Sequence, residues 1–386
     1  MTNPTWHLIT GEYPEQPGGV SDYSRLVARG LAAAGDDVHV WAPPFAGKTV
    51  HDTGVTVHRL PGHFDLRTLR ILGATLNSWP RTGRLLVQYV PHAFGWKAMN
   101  IALALWLRRR RQPVWVMFHE VVFPWQHGQS IKHQVLGCVT HAMASLIAGA
   151  ASRIFVSIPD WRLRLLRLAN VSDRTTWLPI PSTLPTVIDA GAAQRRREHF
   201  QIPSESPLIG HFGTYGDPIT SMLTPLVREL LIRQPTCHFL LLGHHSDRFA
   251  KEFPEHAARV HASGSLSALA LSECHCACDV MLQPYPDGIS TRRTSAMAAL
   301  ALGRPLVTTF GALSESLWNE GNAVAMAPVE RPEEMVTLTD LLIANLDRRI
   351  ELGKNARRLY MERFSLERII NVLRDTEPAI PFPSEG

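Results

Sequence analysis

The sequence predicts an α/β protein made of two successive units, each a parallel sheet with helices packed on it. Three observations carry that prediction. The chain has 386 residues, too many for one ordinary hydrophobic core. Short apolar runs of strand length alternate with stretches of helical spacing. The alternation pauses at a linker, Pro181-Ser-Thr-Leu-Pro-Thr186, and then starts again.

Residues 6–10 are a short apolar run, and a Gly/Pro-rich loop follows to Gly19. Val20, Tyr23, Val27, Leu31 and Ala34 then recur at helical spacing, and Gly35 stops the helix before the run 38–41. Strand, helix, strand in this order implies a parallel pair with a right-handed crossover. Residues 85–89, 114–118 and 153–157 read as further buried strands. The apolar stretch 135–151 is interrupted by Thr140, His141 and Ser145, which predicts a buried core helix rather than a membrane span. After the linker, residues 208–212, 238–242, 280–282 and 305–309 are strands, and the charged stretch 349–374 is helical. These elements give domains of residues 1–182 and 183–364, with residues 365–386 as a terminal helix and tail.

Composition narrows the class. Hydrophobic residues make up 45% and charged residues 19%, as in a globular protein. The formal charge is +5, without a lysine tract or an aromatic-interleaved basic patch, so a nucleic-acid partner is not expected. Arginines do cluster at 108–111 and within 162–167. Such clusters cap helices or face solvent, and they also suit an anionic membrane surface. No signal pattern is apparent at the N-terminus, so a cytoplasmic location is expected, with a peripheral place at the inner membrane face open. Cys274, Cys276 and Cys278 lack paired C-x2-C knuckles, which predicts free thiols and no metal site.

The candidate chemical residues all follow strands. Gly18 and Gly19 come after the first, His119 and Glu120 after 114–118, Gly213 and Thr214 after 208–212, and Asp287 to Arg293 after 280–282. Ligands of parallel sheets bind outside the carboxyl ends of the strands, so these loops are expected to converge on one cleft. The last loop is the most informative. Ser290 or Thr291 is expected to cap a helix that ends at Gly303 and Pro305. Arg292 and Arg293 then fall in its first turn with no acid, against the helix dipole, and a bound anion would resolve that conflict. No G-x-G-x-x-G, G-x4-G-K-[ST] or H-E-x-x-H motif is present, so nicotinamide, P-loop and zincin chemistries lose ground.

Taken together, Tyr13-Pro14 through Gly18-Gly19-Val20-Ser-Asp-Tyr23, His119-Glu120, Gly243, Asp279 and the block from Asp287 to Pro305 with Val307 resemble family 4 glycosyltransferases. The resemblance implies the GT-B fold. That fold has two Rossmann-like domains facing each other across a cleft, with a C-terminal helix crossing back to the first domain. It also implies a retaining, nucleotide-sugar-dependent transferase that needs no metal. In the family's Glu-x7-Glu signature, Asp287 takes the first position, the donor sugar contact, and Ser295 the second, at the ribose. His119 resembles the histidine that contacts the donor sugar, so His119 and Asp287 are the candidate catalytic residues. Gly18, Gly19, Gly213, Thr214, Gly288, Ile289, Ser290, Thr291, Arg292, Arg293 and Ser295 are the candidate donor-binding set. Glu120 is an acceptor-side carboxylate or a solvated one.

The family's arginine and lysine after the first C-domain strand are absent, because residues 213–218 hold no cation. Arg292 and Arg293 are expected to replace them, with the amides of Ile289 to Thr291 on the distal phosphate. Glu315 is a nucleotide contact or a surface residue. The acceptor is a hydroxyl compound, with a glycan or lipid-linked glycan suggested by the basic clusters. The rival reading is a non-catalytic GT-B scaffold that binds a sugar nucleotide. A phosphorylase would need a pyridoxal lysine, and beyond the linker only Lys251 and Lys354 are present.

Overall fold

The computed structural model describes every residue except 1–3, 17, 48–50, 80–82, 126–127, 188 and 384–386. The chain divides into two compact units. The first comprises residues 1–179 with 369–382, and the second comprises 180–368 with the terminal residues 383–386.

The first unit runs β1 (Thr5–Thr10), α1 (Gly19–Ala33), β2 (Asp37–Ala42), β3 (Val55–Arg59), α2 (Leu66–Asn77), β4 (Arg84–Tyr89), α3 (Ile101–Arg108), β5 (Val114–Phe118), α4 (Ile131–Ala150), β6 (Arg153–Val156), α5 (Pro159–Leu166) and β7 (Thr175–Trp177). Its strands are parallel and ordered β3-β2-β1-β4-β5-β6-β7. β1 and β5 are buried along their whole length, and β5 reads as a continuous apolar run rather than an alternating one. The edge strand β3 alternates polar and apolar residues and is half exposed.

Residues 369–382 complete this unit. Ile369, Ile370, Val372 and Leu373 are buried, and Ile380 bridges Trp177. The Arg374 Nε and the Trp6 Nε1 both donate to Oδ2 of Asp36, at 3.0 Å each. Asp36 has no exposed side-chain surface, and the Arg374 guanidinium pairs with it there.

The second unit runs α6 (Ala192–His199), β8 (Leu208–Phe212), α7 (Asp217–Arg233), β9 (His238–Leu242), α8 (Ser246–Ala250), β10 (Val260–Ala262), α9 (Ala268–Ala277), β11 (Val280–Gln283), α10 (Thr294–Ala301), β12 (Leu306–Phe310), β13 (Ala325–Pro328), α11 (Glu334–Ala344), α12 (Leu346–Arg363) and the start of α13 (Leu366–Leu373). Its parallel sheet is ordered β10-β9-β8-β11-β12-β13. Leu226, Leu230, Phe239, Leu241, Val280, Leu282 and Val307 form the centre of its core.

In each sheet the chain first builds outward in one direction and then returns to build in the other. The reversal lies between β1 and β4 in the first unit and between β8 and β11 in the second. At such a reversal the two flanking loops diverge and leave a crevice at the strands' carboxyl ends. The expected core helix needs one correction. α4 begins at Ile131, and residues 131–135 are exposed on every side. The free thiols expected at Cys274, Cys276 and Cys278 are present, two of them buried.

Candidate functional site

β11 delivers the second unit's site. Gln283 ends the strand, and Tyr285 to Gly288 close a turn in which the Gly288 N–H donates to the Tyr285 carbonyl at 3.0 Å. Gly288 has φ +84°, and a Cβ there would lie 2.3 Å from the Gly311 nitrogen. Glycine is required at this point for both reasons. The loop is then tied down from the side of β12. Thr309 Oγ1 accepts from the Tyr285 N–H at 2.8 Å and donates to the Tyr285 carbonyl at 2.7 Å. The Ile289 N–H donates to the Thr309 carbonyl at 2.8 Å.

Glu315 is the anchor. Its Oε1 accepts from the Thr291 N–H at 3.0 Å and from the Thr291 hydroxyl at 2.6 Å, and its Oε2 accepts from the Trp318 Nε1 at 2.7 Å. Burial pushes its carboxyl above the usual range, opposed by those hydrogen bonds. Glu315 is therefore neither a nucleotide contact nor a surface residue. It is a buried strut that fixes the backbone of the loop.

These contacts overturn three expectations. α10 begins at Thr294 and Arg293 is its N-cap residue, so neither arginine lies in the first turn. Ser290 and Thr291 do not cap it, because the Thr291 hydroxyl is taken by Glu315 and the buried Ser290 Oγ has no hydrogen-bond partner. The amides of Ile289 and Thr291 are already bonded to Thr309 and Glu315, so they are not free donors for a phosphate.

The charge conflict is resolved within the loop itself. Arg292 Nη2 lies 2.9 Å from Asp287 Oδ2, and Arg293 pairs with Asp287 Oδ1. Two guanidiniums thus share one half-buried carboxylate and leave a local charge of +1. The Arg293 guanidinium also sits over the Tyr285 ring, 4.7 Å from its centroid. The Tyr285 hydroxyl lies 2.7 Å from Ser295 Oγ, so Ser295 is already engaged. Burial pushes the Tyr285 hydroxyl up to about 12.

Gly213 and Thr214 share this edge, because β8 and β11 are neighbours. The Gly213 N–H donates to the Leu242 carbonyl at 3.1 Å, and Thr214 is exposed. Gly243, at φ +106°, leaves no room for a Cβ, which would fall 2.4 Å from the Gly213 oxygen.

In the first unit, β1 leads to Gly18 and Gly19. A Cβ on Gly18 would fall 2.4 Å from Oε1 of Glu12, and the same oxygen accepts from the Ser21 N–H at 3.0 Å. The space beside Gly18 is thus taken by a carboxylate of this chain, at the N-terminus of α1. Burial, then the neighbouring Glu12, pushes the Asp22 carboxyl up. Nothing lies within 4 Å of a Cβ built on Gly19.

His119 follows β5 and is 9% exposed. Its Nε2 lies 2.9 Å from Oε1 of Gln88 on the adjacent β4. An amide oxygen only accepts, so Nε2 carries the ring proton and Nδ1 keeps a lone pair. Tyr23 packs edge-on against the ring, and the Trp161 Nε1 donates to the His119 carbonyl at 2.8 Å. Burial lowers the ring to about 3, so it is a neutral imidazole at physiological pH. Glu120 is exposed, with Oε2 3.8 Å from Nδ1 of His92.

Comparison with known proteins identifies the fold. Residues 18–181 match the model of the glycosyl transferase 4-like domain. The first unit carries a glycosyl transferase 4-like domain, and the chain has the GT-B fold. The chain is similar over nearly its whole length to several solved structures. Sucrose-phosphate synthase from Thermosynechococcus elongatus has 16% identity, a TM-score of 0.71, and coverage of 97% of this chain and 98% of that one. A glycosyltransferase from Rickettsia africae has 10% identity and a TM-score of 0.71, with coverage of 97% and 98%. Anabaena HepE, solved with UDP and glucose, has 13% identity and a TM-score of 0.70, with coverage of 97% and 99%. No curated protein matches the chain in sequence.

The roles of two residues, Glu12 and Glu315, escape sequence reading. Glu12 lies in a Gly/Pro-rich loop that gives no periodic signal, and Glu315 lies 24 residues from its partner Thr291. Only tertiary structure pairs them with the loops they hold.

Proposed function

We propose that this protein is a glycosyltransferase that binds a nucleotide-diphosphate sugar on its second unit and transfers the sugar, with retention of anomeric configuration, to a hydroxyl acceptor. One observation carries this reading. At the sheet reversal between β8 and β11, Gly213 and Thr214 stand beside a pinned loop that holds Asp287, Arg292 and Arg293. Parallel sheets bind ligands at that crevice. Two guanidiniums with one carboxylate suit a diphosphate that carries a polyhydroxyl sugar. The HepE neighbour, with UDP and glucose in its structure, supports the same ligand class.

In this reading the bond from the anomeric carbon to the β-phosphate oxygen breaks, and the acceptor oxygen forms the new bond on the same face. The acceptor proton passes to the departing phosphate. Negative charge grows on the β-phosphate as the bond stretches, and Arg292 and Arg293 stabilise it without a metal ion. Their contact with Asp287 keeps them in place before the donor arrives, so little reorganisation is needed. Asp287 orients the sugar hydroxyls. His119, neutral and held by Gln88, offers Nδ1 as an acceptor to a substrate hydroxyl. Ser295 makes a weaker ribose contact than a glutamate would, because it has one hydroxyl and shares it with Tyr285.

Calorimetry against uridine, guanosine and adenosine diphosphates and their sugars tests this reading. One base is expected to bind, and R293A is expected to weaken it by roughly tenfold, the equivalent of about 1.4 kcal/mol from one charge-assisted contact. NMR of the transferred sugar then reads the anomer. No binding by any diphosphate would overturn the donor assignment, and an inverted anomer would overturn retention.

A further inference from the structure

The helical face of the first unit departs from the ordinary pattern of a solvated surface. α3 and α4 follow adjacent strands and pack against each other. A helix at the surface of a globular protein turns its apolar stripe inward and shows polar residues outside. Here the outward stripes are apolar. On α3, Ile101 and Leu105 are exposed, one turn apart. On α4, Ile131, Val135, Cys138 and Ala142 recur at intervals of four, three and four and are all exposed. Ile131 keeps 78% of its surface and Val135 51%. Lys132 is the one charged residue in the twenty of α4.

An aromatic ring adds to this face. Trp125 is 59% exposed and stacks on His141 of α4 at 4.1 Å between centroids. A Cβ on Gly137 would fall 2.2 Å from the Trp125 Nε1, so the glycine leaves the groove in which the indole lies. The ring is thus fixed at the surface with its polar nitrogen and its apolar body both placed, as indoles are at a bilayer interface.

Charge selects the partner. Glu120 is the sole acidic residue between positions 66 and 159, against eleven lysines and arginines. Arg108, Arg109 and Arg111 are exposed at the end of α3, whereas Arg110 lies over Trp106, 4.4 Å from the ring. Two copies of such a face would repel each other. A nucleic acid would use the cations and leave the aliphatic stripes in water. A bilayer with anionic headgroups takes both, with cations at the headgroups and aliphatic and indole groups at the acyl boundary. No helix among the described residues is long and apolar enough to cross a membrane, so the contact is a surface one.

We propose that the α3–α4 face of the first unit docks this glycosyltransferase on an anionic lipid bilayer. Trp125 and Glu120 both follow β5, so docking places the acceptor-side end of that sheet near the headgroups and suits a hydroxyl acceptor held in the membrane. The proposal stands on this face alone and not on the donor assignment.

The test is sedimentation of the full chain with phosphatidylcholine vesicles, with and without phosphatidylglycerol, at low and high salt. Binding is expected only with the anionic lipid and is expected to weaken with salt. The double variant I131E/V135E is expected to lose about tenfold in partitioning, and R108E/R109E/R111E at least as much. Both sets are exposed, so the thermal midpoint and nucleotide binding are expected to stay unchanged. No partitioning on anionic vesicles, or partitioning that survives both variants, would overturn the proposal. So would a soluble dimer that I131E/V135E dissolves, or tighter binding to an oligonucleotide than to vesicles.

Discussion

Single residues set the geometry of this site through contacts that their own neighbours in sequence do not predict. Glu315 shows this most directly. One carboxylate satisfies the amide and hydroxyl of Thr291 and the indole of Trp318, in a place 6% exposed to water. Removing it leaves three buried donors without an acceptor, each costing about 1–3 kcal/mol. E315A is therefore expected to lower stability by about 3 kcal/mol or more, read as a fall in the urea midpoint. The freed loop is also expected to bind nucleotide more weakly, although Glu315 touches none of it in the proposed complex. A midpoint within error of wild type would show that the strut holds nothing. Asp287 acts at the same scale in the opposite sense. The sequence places two cations at a helix start without a counter-charge, and the structure supplies one from the preceding turn.

At the scale of elements, the turn after β11 depends on Gly288 in a way that the start of α1 does not depend on Gly19. A side chain at Gly288 meets both a left-handed φ of +84° and the Gly311 backbone at 2.3 Å. The first costs about 1–2 kcal/mol and the second forces the turn to move. Gly19 opens α1, and a Cβ there meets nothing within 4 Å. G288A is thus expected to lower the thermal midpoint and abolish donor binding, whereas G19A is expected to be neutral or stabilising by about 0.5–1 kcal/mol. Calorimetric melts of the pair check this, and equal effects would refute the contrast. The same distinction explains what the sequence reveals. The buried strands β1, β4, β5, β8, β9 and β11 are mainly apolar and are legible directly. β3 and β10 are short edge strands with polar or half-buried residues, and their pattern resembles loop. The start of α10 is misread by a few residues because Thr291, a good cap by type, is diverted to Glu315. In α4 the apolar composition is plain, but which side faces water is set by its neighbours, so burial of the whole helix does not follow from it.

Across the whole molecule, buried histidines link stability to pH. Burial is the largest cause that lowers His7, His211, His261 and His275 to about 4 and His119 to about 3. In the unfolded chain each ring takes a proton below about 6.5. Between roughly 6.5 and 4 the unfolded state therefore binds more protons than the folded one, and stability falls as the pH drops through that window. Glu315 and Asp22 work in the other direction, because a raised carboxyl weakens the fold as the pH rises through it. Five rings against two carboxyls make the histidines dominant, so the urea midpoint is expected to decline steadily from pH 7 to pH 5, before most carboxylates titrate. His7 and His119 belong to the first unit, and His211, His261 and His275 to the second. If the units unfold in separate steps, the step of the second unit is expected to shift further with acid. A flat midpoint over that range would mean that the rings take up protons while folded. The neutral state of His119, and with it the use of Nδ1 as an acceptor, would then have to be abandoned as well.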